Sequence, residues 1–167
     1  RARSAGANVF VALGPHPVEL AMMAEKLGLQ SAIEKMRLGY DLAFRYVREG
    51  KAICIGEVGR PHFKVPKEVW DAANDLLLDA FASAKDCGCA VILHTEHAGQ
   101  EVFQELAEMA RKTGMPLDRV VKHFSSPSIL PWENSGVMPS IIASRPNIKN
   151  ALAKGDRFMM ETDYIDD

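Results

Sequence analysis

Short apolar runs alternate with longer stretches in which apolar residues recur every three or four positions, and the alternation repeats along nearly the whole chain. Val9-Phe10-Val11-Ala12-Leu13 reads as a buried strand, broken by Gly14-Pro15-His16-Pro17. Pro17 suits the first position of a helix that runs to about Leu27 and stops at Gly28. Ser31-Ala32-Ile33-Glu34 has capping-box spacing, and the helix it predicts lines up Ile33, Met36, Tyr40, Phe44 and Val47 before Gly50. Ala52-Ile53-Cys54-Ile55-Gly56-Glu57 is a strand that ends in an acid, followed by the turn Val58-Gly59-Arg60-Pro61. Pro66 opens a long helix carrying Val69, Trp70, Ala73, Leu77, Ala80, Phe81 and Ala84, closed near Gly88. Ala90-Val91-Ile92-Leu93-His94 is a strand ending in histidine, and a helix from about Gly99 to Thr113 carries Val102, Phe103, Leu106 and Ala110. Val120-Val121-Lys122-His123 is again a short strand ending in histidine. Four prolines punctuate the stretch from Phe124 to Asn147, where Gly136-Val137-Met138 predicts one brief strand. Pro146 opens a last helix through about Lys154, and Arg157 to Asp163 is a strand whose apolar run stops at Glu161-Thr162-Asp163.

At least five strand–helix alternations, with no linker or low-complexity stretch between them, predict one α/β domain over residues 1–167 built on a parallel sheet. A doubly wound open sheet and a β/α barrel both produce this pattern. The strand ends favour the barrel. Glu57, His94, His123 and Asp163 each stand at the C-terminal end of a predicted strand, and His16 follows another by a short turn. In a β/α barrel those ends surround one mouth, so residues distant in sequence meet there. Taken singly, each is an ordinary turn histidine or helix-capping acid. Together they make a ligand set for zinc, manganese or a related divalent ion.

Composition narrows the reading without redirecting it. The net charge of -2 lacks the basic footprint of a general nucleic-acid binder, but leaves room for nucleic acid held at one spot by metal. Cys54, Cys87 and Cys89 form no secreted disulfide framework, and inert thiols are expected in preference to a metal or redox pair. No apolar run approaches the ~20 residues of a membrane span, and Arg1-Ala2-Arg3-Ser4 leads into no signal-peptide core, so a cytoplasmic protein is expected.

The order Gly14-Pro15-His16-Pro17, Gly56-Glu57-Val58-Gly59, Leu93-His94, His123-Phe124-Ser125 and Glu161-Thr162-Asp163 resembles the TatD-like metal-dependent hydrolases of the amidohydrolase superfamily, in particular their divergent archaeal-type group. The resemblance runs from about Val9 to Tyr164 and implies a TIM-type (β/α)8 barrel. It implies that Glu57 bridges two metals, that His94 and His123 bind the second, and that Asp163 sits on the first and activates the attacking water. His16 then corresponds to a substrate contact, while Glu161, Thr162 and Ser125 support the ligands. The family's first-strand His-x-His pair does not occur, because the chain opens near the third strand. The first two strand–helix units and the C-terminal helix are therefore expected to be lacking, which leaves about six of a barrel's eight units. Arg60 stands where relatives of this kind carry an acid nearby; it either contacts an anionic substrate or pairs with a neighbouring acid. His62 and His97, just past strand ends, are candidate substrate groups or plain loop histidines.

The activity implied is hydrolysis with one or two divalent ions (Zn, Mn or Mg), on a nucleic-acid end or a small ester, as in a TatD-type deoxyribonuclease. A lactonase, amidase or phosphotriesterase-type hydrolase of the same superfamily, or a non-catalytic remnant, are the alternatives. No membrane partner is expected.

Overall fold

A computed structural model describes residues 3–97 and 99–164; Arg1 and Ala2 of the basic start lie outside them. Six strands, β1 (Ala12–Leu13), β2 (Cys54–Gly59), β3 (Ala90–His94), β4 (Val120–Ser125), β5 (Met138–Ile142) and β6 (Met159–Glu161), pair in sequence order, and every pairing is parallel. The helices between them are α1 (Pro17–Leu27), α2 (Leu29–Arg48), α3 (Lys67–Cys87), α4 (Gln100–Thr113), the single turn α5 (Pro131–Asn134) and α6 (Arg145–Leu152). A strand order without reversal excludes the doubly wound alternative, because that fold turns back at a switch point. The sheet is also curled. In a flat sheet Glu57 on β2 and Asp163 just past β6 would stand roughly 19 Å apart, four strand spacings. Instead, ligand atoms of Glu57, His123 and Asp163 all lie within 4.8 Å of one another. The sheet is an arc of a TIM-type barrel, with the strand C-termini converging at one mouth.

The long helices form where the apolar spacing places them. In α3 the buried positions Val69, Ala73, Leu76, Leu77, Ala80 and Ala84 follow the three- and four-residue stripe, and Gly88 in the left-handed conformation ends the helix. Trp70 is not part of that core; its ring stacks under the Arg60 guanidinium, 4.7 Å from the centroid. Between α1 and α2 the expectation needs correction. The Ser31 capping box does not form, because Gly28 (φ 82) turns the chain in one residue and serves both as C-cap of α1 and as N-cap of α2. The first strand is likewise shorter than Val9–Leu13, with only Ala12 and Leu13 in the ladder. The brief strand expected at Gly136–Met138 lies further on, at Met138–Ile142. Cys54, Cys87 and Cys89 are free thiols, and burial raises the pKa of Cys54 and Cys89, as inert thiols require. Among the described residues no helix is long and apolar enough to cross a membrane.

Candidate metal centre

Glu57 lies inside β2 rather than at its end, and two glycines make room for it. A Cβ on Gly56 would meet Ile92 Cβ at 2.6 Å, and one on Gly59 (φ 139) would meet the His94 carbonyl oxygen at 2.2 Å. The pairing of β2 with β3 shifts register between Ile55 and Val58, and the Gly56–Glu57 peptide is cis. The register shift makes the Gly-Glu-Val-Gly motif a bulge, and its carboxylate lines the mouth. A second shift, between Lys122 and Ser125 on β4, brackets His123 and Phe124, the latter at φ 52.

The side chains gather around that carboxylate. His94 Nδ1 is 3.1 Å from Glu57 Oε2, and His123 Nδ1 is 3.6 Å from Oε1. His16 Nε2 approaches Oε2 at 3.4 Å. His94 is the hub of the rings: centroids of His16, His62 and His123 lie 4.3, 4.9 and 5.5 Å from its own. His97 lines a pocket of about 340 Å³ with His62, His94, Lys122 and Phe124, so all five histidines of the chain collect at this end. On the other side a cleft of about 640 Å³ is lined by Glu57, His123, Glu161, Thr162 and Asp163.

Two groups have the spacing of a metal site: His16, Glu57 and His94, and Glu57, His123 and Asp163, each with ligand atoms within 4.8 Å. Glu57 belongs to both. The spacing divides the donors differently from the resemblance, joining His123 to Asp163 and His94 to His16. His16, however, caps α1: its Nδ1 accepts the Val18 N–H at 3.3 Å. A neutral imidazole that accepts at Nδ1 carries its proton on Nε2, so His16 points an N–H, not a lone pair, at Glu57. Glu57, His123 and Asp163 then remain as the group of three with metal-site spacing among the described residues, with His94 beside Glu57 at 3.1 Å, and donors of this mixed nitrogen and oxygen kind fit a divalent ion.

Charge is balanced around the set. Hydrogen bonding from His94 holds the Glu57 carboxyl below its ordinary pKa, against the opposing effect of burial and helped by the other histidines. Burial opposes a charged His123, yet its hydrogen bond to Glu161 and the nearby Glu57 and Asp163 raise its pKa. His16 is lowered by burial and by His94. Glu161 is the supporting acid: it takes His123 Nδ1 at 3.0 Å, the Phe124 N–H at 2.6 Å and the Ser140 hydroxyl at 2.5 Å. Those contacts outweigh burial and keep it ionised.

Other predicted site residues fall less directly. Arg60 is wholly buried and lines neither of the two cavities at the mouth. Its guanidinium is bound by Glu96, by Asn74 at 3.2 Å and by Glu105 at 2.9 Å, so the paired-arginine reading is the one realised. The Ser125 hydroxyl donates to the Lys122 carbonyl at 2.7 Å and so braces backbone rather than a ligand. Thr162 is an exposed part of the cleft wall. Lys122 is the residue sequence reasoning passed over. It is 1% exposed, its ammonium donates to the His123 carbonyl at 2.5 Å, and burial lowers its pKa to about 8 despite nearby Glu96, Glu161 and Glu57. A lysine in an otherwise apolar strand just before a site histidine was the available signal.

Parallel strands in unbroken order, with His94 ending β3, Glu57 and His123 in the last half of β2 and β4, and Asp163 just past β6, define a barrel-type α/β protein with its candidate site at the mouth. A profile of the TatD related DNases matches residues 1–167, and the chain belongs to that family. It is 41% identical over 161 residues to an uncharacterized protein of Methanocaldococcus jannaschii, an overlap of 96% of this chain and 57% of that protein. Two solved structures share the fold at 17% identity and TM-score 0.63. The phosphotriesterase homology protein of Escherichia coli, complexed with phosphate in its active site, aligns over 98% of this chain and 60% of its own. A mutant of a phosphotriesterase-like lactonase from Deinococcus radiodurans aligns over 98% and 57%. The chain thus spans less than two thirds of the length of each of these three proteins.

Proposed function

We propose that this mouth carries out divalent-metal-dependent hydrolysis, with the phosphodiester bond at a nucleic-acid end as substrate. The observation that carries the proposal is the position of Glu57, one carboxylate within ligand distance of donors on both sides. Glu57, His94, His123 and Asp163 would hold the metal. When bound, a divalent ion lowers the pKa of water toward neutrality and polarises the attacked oxygen. Asp163, exposed at the rim, takes the proton of the attacking water on a carboxylate oxygen. His16 offers its Nε2–H to Glu57 or to a substrate oxygen. Glu161 holds His123 and the Phe124 amide so that the ring keeps its aim.

A second reading keeps these residues and changes the substrate to a lactone or phosphotriester. It is favoured by Phe124, 54% exposed beside His62 and His97, which gives the smaller pocket an apolar wall for an acyl group. The test uses the complete protein with manganese or zinc, assayed on single-stranded DNA ends and on a lactone and phosphotriester panel. Release of nucleotides from DNA ends, lost at least 100-fold in Glu57→Gln on the ~10²–10³ scale of removing one key electrostatic group, is the expected result. Turnover of the panel with no DNA cleavage selects the second reading. Fewer than one bound ion per chain, with Glu57→Gln changing nothing, makes the protein a non-catalytic remnant.

A further inference from the structure

His94 has a partner on each ring nitrogen. Nδ1 is 3.1 Å from Glu57 Oε2, and Nε2 is 2.7 Å from His62 Nδ1. A histidine that ligates a metal with one nitrogen must carry its proton on the other, and that proton needs an acceptor to fix the ring. For His123 the acceptor is Glu161. At His94 the group in that place is the imidazole of His62. We propose that His62 is the positioning partner of His94: its Nδ1 accepts the Nε2–H and so keeps the His94 Nδ1 lone pair facing the centre beside Glu57. This rests on the metal reading above and gives His62 a role other than substrate contact.

The surroundings of His62 are built for the purpose. It belongs to the turn Arg60-Pro61-His62, and that turn is docked on the residue it would position. Gly59 lies against the His94 carbonyl so closely that no side chain fits, and the Arg60 N–H donates to the same carbonyl at 2.9 Å. The Arg60 side chain anchors the turn from below through Glu96, Glu105, Asn74 and the Trp70 face. Phe63 packs edge-on against the His62 ring at 5.2 Å. An exposed histidine is therefore held on a fixed stem.

The contact also serves the metal-free state. There, Nδ1–H of His94 donates to Glu57, and Nδ1–H of His62 donates to His94 Nε2. With the centre filled, His94 would carry its proton on Nε2, His62 would accept it at Nδ1, and the exposed Nε2 of His62 would carry that ring's own proton.

The experiment uses the complete protein with zinc alone and manganese alone, measuring affinity by chelator competition without substrate. Imidazole nitrogen chemical shifts report the His94 tautomer. His62→Ala is expected to weaken binding roughly 10- to 100-fold and to mix the His94 tautomers in the loaded protein. His62→Asn, whose Oδ1 takes the place of Nδ1, is expected to restore most of the affinity and the Nε2–H form. Wild-type affinity and tautomer in His62→Ala overturn the inference while leaving the metal reading intact. So does His62→Asn binding as weakly as the alanine variant, which makes His62 a direct ligand. A wild-type protein that binds neither ion overturns both.

Discussion

Tyr40 is buried in α2, and among the described residues its hydroxyl has no hydrogen-bond partner. Burial, with the charge of Asp79 adding, also pushes its phenol well above the ordinary range. An unsatisfied buried polar group costs about 1–3 kcal/mol, so Tyr40→Phe is expected to raise stability by about 1 kcal/mol, read as a higher denaturant midpoint with unchanged m-value. Lys122 stores a similar cost in charged form. Its folded pKa of about 8 lies below the ordinary 10.5, so the unfolded chain holds more protons between those values. The sign follows: stability of the metal-free protein rises with pH across that window, and below it the whole penalty is present. At pH 7 Lys122→Met is expected to be more stable by up to about 3 kcal/mol, with the advantage shrinking above pH 8 and gone near pH 10.5. Urea titrations of both proteins in chelator at several pH values measure this, and a gap independent of pH would contradict it.

Among the elements, β2 shows most directly how a local rule becomes site geometry. Gly59 has φ 139 and lies within 2.2 Å, in Cβ terms, of the His94 carbonyl. Gly59→Ala must therefore push β2 and β3 apart or adopt a strained backbone. It is expected to cost about 3 kcal/mol or more, by strain at a special backbone position and the clash, and to weaken metal binding along with stability. Gly28→Ala, equally left-handed but in open space, is expected to cost stability alone. Parallel measurements of melting and zinc affinity on the two variants separate the effects. The glycines also explain what was legible. Apolar spacing found α1 to its terminal residues and β3 without error, because α1 has a capping residue at each end and β3 alternates buried with half-buried positions. The bulge at Glu57 was not legible, since register shifts depend on the neighbouring strand. Between β4 and β5 the organising residue is Asn134, fully buried. It donates to the carbonyls of Ser128 and Ile129 and accepts from the Gly136 N–H. A single asparagine at the end of the one-turn α5 holds the loop by side-chain hydrogen bonds, which leave no periodicity to read. The gathering of Glu57, His94, His123 and Asp163 at one mouth was legible because each lies toward or just past the C-terminal end of a strand, whereas the His62–His94 contact needs a fold in which two turns meet.

At the scale of the molecule, the site joins elements from the start of the arc to its end. The proposed donors sit on β2, β3, β4 and just beyond β6, so an ion held by Glu57, His123 and Asp163 would tie the last strand to the second across the curl. That tie matters most at β6, which has three residues, pairs only with β5 among the described strands, and leaves Met159 and Met160 49% and 64% exposed. Elements with so little buried surface open first, well below the global unfolding free energy. Binding to the closed form alone stabilises by RT ln(1 + [L]/Kd), about 2.7 kcal/mol at a hundredfold excess over Kd. Opening at β6 separates Asp163 and Glu161 from Glu57 and His123, so this energy acts first on β6. Removing metal with chelator is therefore expected to accelerate amide exchange roughly tenfold to hundredfold at Met159 to Asp163, the range a coupling of about 1.4–2.8 kcal/mol produces, while Val91 and Leu93 in the buried β3 change far less. Glu57→Gln should abolish the difference between loaded and metal-free protein without abolishing the strand. Exchange at β6 that is the same with and without zinc, in a protein shown to bind it, would mean that the centre does not span the arc.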